Sequence, residues 1–226
     1  MTKNAVVIGA GPGLGASVVR RFAREGFTVA AVARNAQTLA GLTEAKHYHA
    51  DTTDAASVAQ AAAAIRKEMG AIDVLVYNAG AFQMASVLDL SVEDFERCWR
   101  ANCEGGFLWA REMGRGMVER KSGTIIFTGA TASMRGSANF AALAVGKFGL
   151  RALAQSMARE LGPKGVHVAH VVVDGQIESA RTKQMGRGAD TVLSPDAIAE
   201  SYWYLHNQHP TAWTLELDLR PAIEKF

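Results

Sequence analysis

The segment from Asn4 to Gly26 constrains this chain more than any other. Ala5-Val6-Val7-Ile8 is a short apolar run without polar alternation, the pattern of a parallel strand buried on both faces. It leads directly into Gly9-Ala10-Gly11-Pro12-Gly13-Leu14-Gly15. Leu14, Val18 and Phe22 then recur every fourth residue before Gly26, which predicts an amphipathic helix with a glycine stop. Strand, glycine-rich turn and helix in that order let backbone N–H groups and the positive helix end approach a phosphate, because glycine has no Cβ to hold the anion off. An ordinary tight turn uses the same residues. The spacing is Gly-x3-Gly-x-Gly rather than Gly-x-Gly-x-x-Gly, unless Gly11, Gly13 and Ala16 are read as a shifted match.

A chain of 226 residues fits one α/β domain, here taken as residues 1–226, with room for a substantial core. The 49% hydrophobic and 20% charged content is that of a water-soluble globular protein, and no apolar run reaches the roughly 20 residues of a membrane span. Met1 to Gly15 has too short an apolar core for a signal peptide, so the expected location is the cytoplasm. A net charge of +2 from scattered bases gives no footing for nucleic acid or an anionic membrane. Cys98 and Cys103 form no metal or redox pattern and read as reduced, packed thiols. His47 and His49 share one face of a strand without an acidic or thiol companion, so no metal site is expected.

Strand and helix signals alternate to the end of the chain, which predicts a mostly parallel sheet covered on both faces. Phe27 to Val32 is the second strand, and Arg34 follows it, nineteen residues past Gly15. In a dinucleotide-binding unit an acid near that point holds the ribose 2′-hydroxyl of NAD, whereas an arginine pairs with the 2′-phosphate of NADP. Arg34 therefore favours NADP(H) over NAD(H), with a solvated surface arginine as the alternative. After a third strand, Lys46 to Ala50, Asp54 caps the helix from Ala55 to Met69, leaving Asp51 to meet an adenine amino group. Ile72 to Tyr77 is the fourth strand and delivers Asn78-Ala79-Gly80, where Gly80 admits a close approach and Asn78 can tie the turn to its neighbour. Ser91 opens a helical stretch to about Arg120 with Asn102 near its middle. Thr124 to Phe127 is the fifth strand, Phe140 to Leu161 a helix that carries Lys147, and Val166 to Val173 the sixth strand, ending at Asp174-Gly175. The segment 176–193 carries Arg181, Lys183 and Arg187 and reads as a lid or substrate loop. A helix from Ser194-Pro195 to about Gln208 and a seventh strand over Trp213 to Leu219 complete the chain.

Taken together, these motifs make the chain resemble the short-chain dehydrogenase/reductase family over nearly its whole length. Gly9-x3-Gly13-x-Gly15 matches that family's cofactor loop, Asp51 its adenine-binding acid, Asn78-Ala79-Gly80 its Asn-Ala-Gly turn, Asn102 its helical active-site asparagine and Lys147 its active-site lysine. The resemblance implies a Rossmann-type, doubly wound sheet of seven strands in the order 3-2-1-4-5-6-7. It further implies that NAD(P) is held by Gly9, Gly13, Leu14, Gly15, Arg34, Asp51, Thr52, Asn78, Ala79, Gly80, Lys147 and Gly175. A homodimer or homotetramer built on the two long helices is implied as well.

The same resemblance exposes a departure. Where family members place a catalytic tyrosine four residues before the lysine and a serine about thirteen before the tyrosine, this chain has Leu143 and Ala130. In the family's reaction the tyrosine gives a proton to the carbonyl oxygen as hydride arrives, and the serine steadies the oxyanion. Removing such an acid costs about 10²–10⁴ in rate. Thr128, Thr131, Ser133, Ser137, Asp174, a water held by Lys147 and Asn102, or Lys147 itself are the candidate substitutes. Two readings stay open: an NADP(H)-dependent oxidoreductase with an altered proton-transfer group acting on a small-molecule carbonyl or alcohol, and a noncatalytic NADP(H)-binding protein that serves as sensor or assembly partner.

Overall fold

The computed structural model describes residues 2–223, apart from the side chain of Ala189; residues 1 and 224–226, at the two ends of the expected domain, lie outside the described residues. Seven strands, β1 (Asn4–Ile8), β2 (Thr28–Ala33), β3 (Ala45–His49), β4 (Val74–Tyr77), β5 (Gly123–Thr128), β6 (Val166–Val173) and β7 (Glu216–Leu219), form one sheet. Their order is β3-β2-β1-β4-β5-β6-β7 and every pairing is parallel, as the motif order implied. The run from Ala5 to Ile8 is apolar because β1 is buried on both sides. Ala5 and Val7 belong to the core under helices α1 (Leu14–Arg24) and α8 (Pro195–His206), whereas Val6 and Ile8 belong to the opposite core. That second core is roofed by α3 (Ala55–Met69), α5 (Gly105–Arg120) and α6 (Ala141–Leu161). Strand order reverses between β1 and β4, and in open sheets of this kind the crevice at the carboxyl ends beside the reversal is where ligands sit.

Three elements differ from their expected form. The helical stretch from Ser91 is two α-helices, α4 (Val92–Trp99) and α5, joined by a π-helical turn over Arg100–Glu104. The seventh strand is shorter than expected: Glu216–Leu219 pairs with β6, while Trp213 lies outside it, stacked on the His167 ring at 5.0 Å after a 3-10 turn at Pro210–Ala212. The sequence suggests a helix around Gln37 to Ala45 between the second and third strands; only α2 (Ala36–Leu39) forms there. Within 176–193 the chain forms the short helix α7 (Ala180–Gln184), capped by Ser179, and Ile177 bridges Leu193.

Candidate functional site

The turn after β1 is shaped by two glycines whose Cβ positions are already filled. A Cβ on Gly15 would lie 2.2 Å from the Gly9 carbonyl oxygen, and one on Gly9 would lie 2.6 Å from the Ala79 nitrogen. The turn is thus folded tightly against the β4 end, where the Asn78 side-chain amide donates to Gly9 O at 3.0 Å. Gly13 has φ 97° and no side chain caps α1; the Ala16 N–H donates to Gly11 O at 2.9 Å, which leaves the N–H groups of Leu14 and Gly15 for an external acceptor. Leu14 is buried in the core beneath them.

A cavity of about 620 Å³ runs along the strand ends from this turn. Gly9, Gly11, Arg34, Asp51, Thr52, Asn78, Ala79 and Gly80 line it, so most of the expected cofactor residues meet in one trench, while Gly13, Leu14 and Gly15 shape the turn rather than the wall. Asp51 Oδ1 accepts from the backbone N–H of Thr53 at 2.9 Å and from its hydroxyl at 2.8 Å. The Thr53 amide above all, then its hydroxyl and the nearby Arg34 charge, hold the Asp51 carboxyl below the ordinary carboxylate range despite its partial burial. Thr52 is tied down differently: its hydroxyl meets Tyr77 Oη at 3.0 Å, and Tyr77 donates to Ala101 O at 2.6 Å. Among the described residues no carboxylate lies within ion-pair distance of Arg34.

Asn102 and Lys147 come together behind Gly80. The Asn102 amide donates to Ala81 O at 2.7 Å and to Cys98 O at 2.9 Å, and its Oδ1, fully buried, has no partner. A Cβ on Gly80 would lie 2.7 Å from that oxygen and 3.8 Å from Lys147 Nζ. Lys147 is buried, donates to Thr128 O at 2.8 Å, and burial lowers its pKa to about 8. One turn before it, Leu143 lines a second cavity of about 580 Å³ together with Ala130, Thr131, Ser137 and Gly175. Phe82 lines both cavities, so the second continues the first beyond Gly80.

The hydroxyls near Ala130 separate by environment. Thr128 pairs with the buried Tyr202 at 2.8 Å, and Ser133 accepts from the Ala130 N–H at 3.1 Å, so both are engaged in the fold. Thr131 faces the second cavity and donates to Asp174 Oδ1 at 2.5 Å, and Asp174 also pairs with Arg220 at 3.4 Å. No tyrosine lines either cavity; the buried hydroxyls of Tyr77 and Tyr202 are pushed up by burial. His170 belongs to none of the sequence motifs: it is buried beneath Gly129 with neither ring nitrogen hydrogen-bonded, and burial, then the Lys147 charge, lowers its pKa to about 4. The signal was present, since a histidine inside the apolar run of β6 is out of pattern. His47 and His49 are exposed, Cys98 and Cys103 are free thiols, and no metal-binding cluster occurs among the described residues.

Residues 3–189 match the model of the short chain dehydrogenase family. The 3-oxoacyl-[acyl-carrier-protein] reductase MabA of Mycobacterium tuberculosis is 32% identical over 185 residues, covering 82% of this chain and 73% of MabA. A short-chain dehydrogenase from Rhodopseudomonas palustris superposes with a TM-score of 0.84 at 38% identity, covering 97% of this chain and 98% of that one. A metagenomic short-chain oxidoreductase solved in complex with NADP superposes with a TM-score of 0.86 at 26% identity, with 98% of each chain covered.

Proposed function

The chain belongs to the short-chain dehydrogenase family, and we propose that it is an NADP(H)-dependent oxidoreductase of carbonyls or alcohols in which Lys147 performs the proton transfer. When bound, the cofactor supplies or accepts the hydride. The residues present suit it: a turn with no room for a Cβ at Gly9 or Gly15, an uncapped helix end for the pyrophosphate, Asp51 for the adenine and Arg34 for a 2′-phosphate.

The observation that carries the reading is the state of Lys147. A buried ammonium with one protein acceptor and a pKa near 8 sits between its two protonation states close to neutral pH, the condition for a useful acid or base. In the reducing direction its N–H proton passes to the carbonyl oxygen and leaves a neutral amine, which is reprotonated from solvent. Asn102 holds the loop at Ala81 in place and keeps one oxygen free beside the lysine. Loss of the proton makes reduction fall away above about pH 8, and Lys147→Ala is expected to lower turnover about 10²–10⁴-fold.

A second reading has its own support: Ala130 and Leu143 present only hydrocarbon to the cavity where the family has its serine and tyrosine, as a noncatalytic NADP(H) sensor or assembly partner would. One experiment divides the two. NADPH should stabilise the fold more than NADH does, and a carbonyl and alcohol panel should show turnover that Lys147→Ala abolishes. Stabilisation without turnover, with activity only after Ala130→Ser and Leu143→Tyr together, selects the noncatalytic reading, and a preference for NADH overturns the role of Arg34. We further propose a homodimer or homotetramer and a cytoplasmic location, with 176–193 closing over the substrate. Among the described residues no helix is long and apolar enough to cross a membrane.

A further inference from the structure

We propose that the second cavity selects an amphipathic anion, a substrate with an apolar body and a carboxylate or phosphate held by Arg135 and Arg181. Ala130, Leu143, Val173, Ile177 and Met185 give the wall its hydrocarbon, interspersed with neutral polar groups such as Thr131 and Ser137. Arg135 and Arg181 are exposed and line the same cavity, from opposite segments of chain. No acidic residue shares the lining with them: the nearest in sequence to the cavity wall, Asp174, is taken by Thr131 and Arg220, and Glu178 is taken by Lys183.

Among the described residues Arg34, Arg115 and Arg159 also lack a carboxylate within ion-pair distance, whereas Arg20, Arg66 and Arg151 have one; what sets Arg135 and Arg181 apart is that both line this cavity. Among the described residues neither Arg135 nor Arg181 has a carboxylate within that distance, although both stand over an apolar pocket of ligand size. An arginine in that position supplies a charge-assisted, forked contact that an anionic group satisfies and an alcohol does not. The inference rests on the oxidoreductase reading for where the reacting carbonyl sits, beside Leu143, one helical turn before Lys147; the binding preference itself does not depend on turnover.

Calorimetric titration of the whole protein, with and without NADPH, tests it using octanoate, octyl phosphate, 1-octanol and octylamine. The two anions are expected to bind about tenfold or more tightly than the alcohol, and their ranking tells carboxylate from phosphate. Arg135→Gln with Arg181→Gln should erase the difference while 1-octanol still binds, and Arg181→Glu should turn the preference towards octylamine, a gain that misfolding cannot imitate. Equal binding of octanoate and 1-octanol, binding of no probe at all, or an anion preference that survives the double change would each overturn the proposal. Anion preference in a protein that fails to bind NADPH would leave this site standing and bring down the cofactor reading alone.

Discussion

At Gly15 a single methyl group decides whether the cofactor turn can close. Its Cβ would sit 2.2 Å from Gly9 O and 2.8 Å from Ala10 Cα, both backbone atoms. Neither can yield, because the Gly9 N–H is hydrogen-bonded to Val32 O at 2.9 Å and the Asn78 amide holds Gly9 O from the other side. Gly13 differs: nothing stands within 4 Å of its Cβ position, and its φ of 97° is the whole of its requirement. Gly15→Ala should therefore cost about 3 kcal/mol, the upper end of overpacking, and Gly13→Ala about 1–2 kcal/mol of backbone strain. Urea unfolding of the two variants measures the difference, and equal losses would show that the turn relaxes around the methyl. In the sequence the two glycines look alike. Their distinct reasons lie in how the turn folds back on itself, with Gly9 O and Ala10 Cα closing on Gly15 while Gly13 faces open space, and spacing alone does not show that.

Among the elements, the π turn between α4 and α5 does most to assemble the site. A π turn leaves carbonyls of the regular ladder without their usual donors, and here side chains take them up: Tyr77 Oη donates to Ala101 O, and the Asn102 amide to Cys98 O. The second donor hydrogen of Asn102 reaches Ala81 O, which ties the turn to the loop after β4. Asn102→Ala should leave Cys98 O and Ala81 O unpaired, costing about 1–3 kcal/mol and speeding amide exchange in residues 100–104. Unchanged exchange there would mean that the turn is held by packing alone. Periodicity predicted one helix from Ser91 to Arg120, and the helical content was right. One extra residue in a turn barely disturbs a 3.6-residue pattern, so the break was hidden. Its trace was chemical: an asparagine three residues before Gly105-Gly106, where a Cβ on Gly105 would meet the Thr52 and Tyr77 hydroxyls at 2.3 and 2.4 Å. The sheet order was readable because each motif closes a strand; the second cavity was not, since Arg135, Leu143 and Arg181 meet only through the fold.

At the scale of the whole molecule, the placement of histidines sets how the fold responds to acid. His47, His49 and His209 are exposed, whereas His167, His170 and His206 are packed within or beside the two cores. Burial lowers His170 and His206 to about 4 and moves His167 in the same direction, although carbonyls of Leu205 and Thr214 face both its ring nitrogens. An unfolded histidine titrates near 6.5, so between pH 6.5 and 4 the unfolded chain binds more protons than the native one. The contribution of these histidines to stability is therefore complete above about pH 6.5 and is lost as pH falls through that window, by on the order of 3 kcal/mol for His170 alone. The carboxylate of Glu216, held down to about 2 by Arg151 and then Gln155, adds its loss only between 4.5 and 2, so the first acid weakening belongs to the imidazoles. His170→Phe keeps an aromatic ring under Gly129 and removes the proton site. Its urea midpoint should decline less than the wild-type midpoint between pH 7 and 4.5, narrowing any deficit it has at neutral pH. Parallel decline of the two proteins would place the acid response elsewhere. With Lys147, the proposed proton donor, losing its proton above about 8, the same burial sets an acid limit on stability and an alkaline limit on the proposed reduction.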